Sequence, residues 1–499
     1  MSGVVSSFHP ASDGPGKVAI VDIGSNTVRL VVYDAPLRLP IPMFNEKAQC
    51  ELGRGLAATG KLNPQGVKTA LASLARFINL STAMGADHLK LVATAAVRDA
   101  FDGPEFVTEI KRRFGLDVQV LSGEEEAKLA AIGLLSGTSK ADGVLGDLGG
   151  GSLDLVALNR GEFGEHGTLP LGHLRLAEVM EKGSDAVQNQ IEKCLKELPW
   201  IRQAKGRTLY AIGGSWRSLA RIFIDQIGHP LHVVDNFTLR QDEALRLSNV
   251  IAGSSRDSLK RIPGIPRRRM ETLSAASMVL ETLIRVIEPK KLTFSGFGMR
   301  EGQLLEILPD KLRGKDPLID ACKSFADRTG RFALHGNEIL EWMAPLFPDE
   351  KPAQKRLRFA ACLLSDIGWN EHPDYRAEHA FYRVLRIPFA GLTHPNRVLL
   401  AEAVYVRYNG DPESKLVSPV RSLLDPGQQA WVNVVGLALR LAHTLSGSAP
   451  GLLAQSRLKV GGNKLSLKVP KGDEIFVSET VERRLKTLAR SVGLKSAIN

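Results

Sequence analysis

The sequence predicts an α/β fold of two duplicated domains, followed by an all-helical domain and a small α+β domain at the C-terminal end. Three observations predict it. A strand, an Asp-x-Gly turn and a second strand occur twice, at DIGSN from Asp22 and at DLGGGSLD from Asp147. Short β-rich runs alternate with helical periodicity up to about residue 308. Beyond about Pro309 the pattern is almost wholly helical to about Ser446, rich in Leu, Ala and Arg.

The first 16 residues lack the basic start and apolar block of a secretion signal and read as a disordered leader. From Lys17 the expected elements run in order. Lys17–Asp22 and Val28–Tyr33 are apolar strands joined by DIGSN, and Pro64–Met84 is an amphipathic helix with Pro at its first position. A strand at His88–Thr94, a helix at Pro104–Phe114 and a strand at Asp117–Leu121 follow. Glu124–Leu135 begins as a helix whose acidic first turn complements the helix dipole. The second cycle has strands at Gly143–Asp147 and Leu153–Asn159, then a strand at Arg207–Ile212 running through GGS into a helix, Trp216–Ile227. Pro289–Phe294 leads through SGFGMREG into a closing helix. The last fifty residues open with a hairpin, SRLKVGGNKLSLKV, and end in a basic helix, Glu479–Val492. The domains expected are therefore 17–135, 136–308, 309–448 and 449–499.

Composition narrows the class. Of 499 residues, 43% are hydrophobic and 24% charged, and no apolar run approaches the roughly 18 residues of a membrane span. Cys50, Cys194, Cys322 and Cys362 show neither paired nor metal-ligand spacing, which fits a reducing cytoplasm. The formal charge of +11 concentrates polyanions around the chain. Aromatic residues are only 6% and do not interleave with the basic clusters, which argues against a base-stacking platform and specific nucleic-acid binding.

The two Asp-Gly turns carry the chemistry. Each ends a strand in an Asp and continues through glycines that leave backbone N–H groups unobstructed, the arrangement that cradles phosphate oxygens. Asp22, Gly24, Ser25, Asn26 and Thr27 form the first turn, and Gly149, Gly150, Gly151 and Ser152 the second. Gly213, Gly214 and Ser215 supply a third glycine turn. About twenty residues before the second turn stand Glu124, Glu125 and Glu126. Neighbours on a helix splay by about 100°, so only one or two can face a common cleft.

VDIGSNTVRLVV, ATAAVRDA around Arg98, LSGEEEAKLA at 121–130, GDLGGGSLDLV at 146–156 and AIGGS at 211–215 resemble the exopolyphosphatase / guanosine pentaphosphate phosphohydrolase family over roughly residues 17–308. The resemblance implies two actin-like (ribonuclease H-like) domains clamping phosphates. It continues more weakly into the second half, which resembles the third domain of the long members. It implies that Glu126 is the catalytic glutamate, with Glu125 as fallback, and that Arg98 grips the terminal phosphate. Asp147 matches the family's metal-associated aspartate. Asp154 stands where the family usually carries Glu, so a metal contact there would run through water. The implied cofactor is Mg²⁺, with K⁺ as an activating monovalent ion. The implied partner is inorganic polyphosphate, the alternatives are guanosine pentaphosphate and a nucleoside diphosphate acceptor, and the implied assembly is a homodimer. A non-catalytic polyanion binder and a sugar or acetate kinase fit the motifs less well.

The helical half resembles the HD-type phosphohydrolase fold through LLSDIG at 363–368 and LRLAHTLS at 439–446. Ser365 and His443 replace two metal ligands of that fold, so no second metal centre is expected. Arg328, Arg331, Lys355, Arg356, Arg358, Arg376 and Arg383 are read as a path for a long anion.

Overall fold

The computed structural model describes residues 16–34, 38, 42–254, 258, 270–329, 331–332, 335–470 and 478–498; the expected leader lies outside them except for Gly16. The chain divides into two compact units, Met1–Gly314 and Lys315–Asn499.

The first unit holds two sheets. In chain order its elements are β1 (Val18–Ile23), β2 (Thr27–Tyr33), β3 (Pro42–Gln49), α1 (Leu56–Thr59), α2 (Pro64–Ala83), β4 (His88–Ala93), α3 (Ala95–Asp99), α4 (Gly103–Phe114), β5 (Val118–Val120) and α5 (Gly123–Gly137). The second cycle comprises β6 (Gly143–Leu148), β7 (Leu153–Asn159), β8 (Glu162–Leu169), α6 (His173–Met180), α7 (Ser184–Leu195), β9 (Thr208–Ile212), α8 (Gly214–Gln226), β10 (Thr238–Arg240), α9 (Gln241–Ala252), α10 (Met270–Ile287), β11 (Lys291–Phe294) and α11 (Met299–Ile307), with α12 (Asp310–Arg313) closing the unit.

The first sheet runs β3-β2-β1-β4-β5 and the second β10-β11-β9-β6-β7-β8. Each contains an antiparallel hairpin pair followed by two parallel strands, so β6, β7, β8, β9 and β11 repeat β1 to β5. The duplication extends to register. Asp22 faces Arg29 across the first hairpin as Asp147 faces Asp154 across the second. The central strands are buried on both faces, which is why β1 and β6 read as continuous apolar runs rather than alternating ones.

Helix α5 ends the first cycle in sequence but packs on the second sheet. Its Ala127, Ala130, Ala131 and Leu134 pack with Leu145, Val156, Leu158 and Ile212. Conversely, Leu304 of α11 packs with Val18, Ile20, Val31 and Tyr33 of the first sheet. The expected boundary near residue 135 thus follows the chain but not the packing. Where α5 meets α11 the backbones touch. A Cβ on Gly133 would stand 1.9 Å from the Gly298 carbonyl oxygen, and one on Gly302 would stand 2.0 Å from that of Leu129.

The second unit contains α13 (Pro317–Thr329), α14 (Gly336–Trp342), α15 (Pro352–Leu364), α16 (Arg376–Arg386), α17 (His394–Arg407), α18 (Ser418–Arg421), α19 (Pro426–Ser446), β12 (Arg457–Gly461), β13 (Lys464–Lys468), α20 (Glu479–Ser491) and β14 (Lys495–Ile498). The expected hairpin is β12 and β13, and β14 joins it in parallel, a third strand that its basic sequence KSAI does not announce. Among the described residues no helix is long and apolar enough to cross a membrane.

Candidate active site

The two Asp-Gly turns close in the same way: Gly24 N–H donates to the Thr27 carbonyl and Gly149 N–H to the Ser152 carbonyl, each at 3.0 Å. They also face each other. A Cβ on Gly150 would lie 3.0 Å from Ser25 Cβ, and one on Gly151 would lie 2.9 Å from Ser25 Oγ and 3.0 Å from Ala95 Cβ, so glycines let the turns approach this closely without displacing their neighbours. The backbone N–H groups of Ser25, Asn26, Gly150 and Gly151 take no hydrogen bond among the described residues. The buried Asn26 Oδ1 has no hydrogen-bond partner there either. Four open donors between two facing turns are an arrangement able to accept an anion. The third turn adjoins it, since Gly213 caps α8 and a Cβ there would stand 3.0 Å from Asp147 Oδ1. Gly214 and Ser215 open that helix, Ser215 being buried.

Helix α3 starts at the second turn and carries Arg98 one helical turn later. Arg98 Nη1 donates to Glu126 Oε2 at 3.0 Å and to the Leu121 carbonyl at 3.1 Å, and its Nε donates to Asp99 Oδ1 at 3.1 Å. Its Nη2 takes no hydrogen bond among the described residues. Glu126 is buried in the first turn of α5, and burial, reinforced by the Asp154 charge, pushes its carboxyl well above the usual range although Arg98 pulls the other way.

Glu125 does not reach the site. It closes the capping box of α5: its Oε2 accepts from Ser122 N at 2.8 Å while its own N–H donates to Ser122 Oγ at 3.2 Å. The Ser122 N–H holds the Glu125 carboxyl below its ordinary pKa, the opposite of what Glu126 experiences. The fallback assignment therefore falls, because its carboxylate is committed to the helix start.

Asp147 and Asp154 face each other across the second hairpin. Burial pushes Asp147 up to about 6, with Arg217 opposing and Asp22 adding to the shift. Burial pushes Asp154 up to about 7 against the hydrogen bonds of Thr168 Oγ1 at 2.6 Å and Ser152 Oγ at 3.4 Å. Burial likewise raises Asp22. No group of three or more His, Cys, Asp or Glu forms a ready metal cage among the described residues.

Several residues of this neighbourhood escaped sequence reasoning. Burial brings Arg217 of α8 and Arg29 of β2 down to about 10, and Arg300 depresses both. Glu301 accepts from Gly298 N at 2.8 Å and from Tyr33 OH at 3.4 Å. Arg29 had a signal, its register place opposite Asp22; Arg217 and Arg300 come from distant segments and had none beyond following glycine turns.

In the second unit, Ser365 and His443 bond to each other. Ser365 Oγ and His443 Nε2 are 2.7 Å apart, His443 Nδ1 and Ser448 Oγ 2.6 Å, and Ser448 Oγ donates to Asp366 Oδ1 at 3.1 Å. Burial pushes His443 well below its usual range, keeping it neutral. The expected basic path is also largely engaged internally. Arg331 makes two bonds to Asp366, Arg356 two to Asp316, and the buried Arg358 pairs with Glu350. Arg376 and Arg383 donate to main-chain carbonyls.

Fold and site together define a phosphate-handling α/β protein in which duplicated Asp-Gly turns face each other beside a buried glutamate. The model of the Ppx/GppA phosphatase family matches residues 31–311, more than half of the chain, and that of the exopolyphosphatase C-terminal domain matches residues 318–498. The chain belongs to the Ppx/GppA phosphatase family, and it is an enzyme of that class. It is similar to guanosine-5'-triphosphate,3'-diphosphate pyrophosphatase of Aeromonas hydrophila, 25% identical over 94% of this chain and 97% of that one. It is also similar to exopolyphosphatase 1 of Mycobacterium tuberculosis, 25% identical over 60% of this chain and 90% of that one. Among solved structures, an exopolyphosphatase from Cytophaga hutchinsonii superposes with a TM-score of 0.54 at 22% identity, covering 59% of this chain and 99% of that one, which shows the shared fold.

Proposed function

We propose that this enzyme is an exopolyphosphatase that processively releases orthophosphate from the end of linear inorganic polyphosphate. The observation that carries the reading is the pair of facing turns with four unengaged N–H groups beside the Arg98–Glu126 pair. In this reading the cradle and Arg98 Nη2 hold the terminal phosphoryl group. Donors fixed in a water-poor site stabilise charge developing there without reorganising. Glu126 takes the proton of an in-line water, and its raised pKa suits a base acting near neutral pH. The water oxygen bonds to phosphorus, the bond to the bridging oxygen breaks, and the shortened chain leaves with those electrons.

Hard carboxylate oxygens whose ionised forms are disfavoured by burial and by neighbouring carboxylates suit a magnesium ion. Asp147 and Asp154 would hold it, and it would supply charge neutralisation to the phosphate oxygens. Mg²⁺ commonly uses one or two carboxylates plus substrate phosphates, and two carboxylates stand opposite each other here.

A polymer is favoured over a nucleotide by the outer face of the C-terminal sheet. The pleat and register place Arg457, Lys459, Lys464, Lys468 and Lys495 on one side, with no carboxylate among them. Arg457 faces Lys468 and Lys464 faces Lys495, like charges that repel unless an anion lies over them. The second reading, guanosine pentaphosphate 5′-phosphohydrolase, draws support from the nearly full-length similarity to the Aeromonas enzyme. Transfer to a nucleoside diphosphate is the third, using the same phosphoryl geometry. Phosphate release with Mg²⁺ from long polyphosphate, guanosine pentaphosphate and ATP separates them. The fastest release is expected from polyphosphate; release from ATP alone would overturn the proposal.

A further inference from the structure

Asp99 lies next to the proposed phosphate-gripping arginine, and each of its oxygens is engaged by a different cation. Oδ1 accepts from Arg98 Nε at 3.1 Å, and Oδ2 accepts from Arg175 Nη2 at 2.5 Å. Arg98 and Asp99 end α3, on the first sheet's side of the site; Arg175 belongs to α6, which follows the second sheet's hairpin strands. Helix α6 is itself tied to the second phosphate turn, because His173 N–H donates to the Gly149 carbonyl at 3.1 Å and Leu174 N–H to that of Gly150 at 3.0 Å. One turn later Glu178 accepts from Gly55 N at 2.9 Å, back in the first cycle. A continuous chain of polar contacts therefore runs from the second turn through α6, Arg175 and Asp99 to Arg98 and Glu126.

We infer that Arg175 is a positioning residue: through Asp99 it orients the Arg98 guanidinium, so that Arg98 is set for phosphate only while α6 is docked against α3. The inference rests on the phosphatase reading above. Its physical basis is the shape of the guanidinium. With Nε fixed by Asp99, and Nη1 fixed by Glu126 and the Leu121 carbonyl, the plane has one orientation and Nη2 is the edge left for a ligand. Asp99 is partly exposed and on a short helix, so on its own it would swing among rotamers; the second arginine holds it. Both arginines share one carboxylate, and a lysine at 175 keeps the charge while losing the planar fork.

The test is a double-mutant cycle of R98A and R175A, with R175K and D99N as companions, following phosphate release from long-chain polyphosphate in the presence of Mg²⁺. R98A is expected to lower kcat/KM by at least a hundredfold. R175A and D99N are expected to lower it about ten- to fiftyfold, mostly through kcat, with R175K recovering part of the loss. The double variant R98A/R175A is expected to be no slower than R98A. Should R175A unfold, the D99N and R98A pair gives the same cycle. Multiplying effects, or R175A or D99N within twofold of wild type while R98A is crippled, would overturn the positioning role. An R98A enzyme with normal turnover would instead overturn the phosphatase assignment of Arg98 itself.

Discussion

At the residue scale, Glu126 and Glu125 are covalent neighbours with opposite fates. Glu126 is buried and paired to Arg98; Glu125 is exposed and occupied in a cap. E126Q is expected to reduce kcat by about 10²–10⁴-fold with a small change in KM, in steady-state phosphate release. E125A should cost on the order of 1 kcal/mol of stability in urea unfolding and leave kcat nearly intact. The aspartates give a pH signature. Burial pushes Asp147 up to about 6 in the folded chain from an ordinary value of 3.8, so between those values the native state binds more protons than the unfolded one. Stability from this group is greatest below pH 4 and declines as pH rises towards 6. D147N should therefore stabilise the metal-free protein at pH 8 by on the order of 1–3 kcal/mol and give no gain at pH 4. Thermal melts at both pH values with a chelator check this, and a lower Tm for D147N at pH 8 would contradict it. In the proposed role Glu126 accepts a proton only when ionised, and burial raises its pKa, so kcat should rise with pH on its acid limb.

At the element scale, the α5–α11 crossing exchanges the two cycles' helices and fixes the site. Helix α5 carries Glu126 in its first turn and packs on the second sheet; α11 carries Arg300 and Glu301 in its first turn and packs on the first. The crossing depends on Gly133 and Gly302, where a Cβ would stand 1.9 and 2.0 Å from a main-chain carbonyl oxygen, far inside van der Waals contact. G133A or G302A should destabilise the first unit by about 1–3 kcal/mol through overpacking, read from urea midpoints. Neither glycine stands in a turn motif, so sequence periodicity passes over both. The turns, in contrast, were legible: DIGSN and DLGGGS each announce a strand end, a tight turn and open N–H groups by residue type alone. The strands β3 and β8 were not foreseen, because PMFNEKAQ and EFGEHGTL have exposed or half-buried faces and carry no continuous apolar run.

At the scale of the whole molecule, the charge of +11 is not spread as a solvated film. Much of it in the second unit's helices is paired internally, as for Arg331, Arg356 and Arg358, whereas five cations gather on one face of the β12-β13-β14 sheet. K459E/K464E should weaken binding of long polyphosphate and lower the slope of log affinity against log salt, while release from a short oligophosphate stays within about twofold. Equal losses on long and short chains would show that this face does not hold polymer.

By itself the sequence determined the duplicated hairpins, the identity of their turn residues and the helical second half. These are local: a turn needs its glycines and a strand its apolar run within a few residues of each other. Only the tertiary structure decided which glutamate is buried, how Asp99 bridges Arg98 to Arg175, which lies 76 residues from Asp99, and that α5 and α11 trade sheets. Those outcomes depend on burial and on side chains brought together from distant segments. A carboxylate at the start of a helix caps it or reaches the site according to which face packs inward, and that is settled by the sheet it lands on.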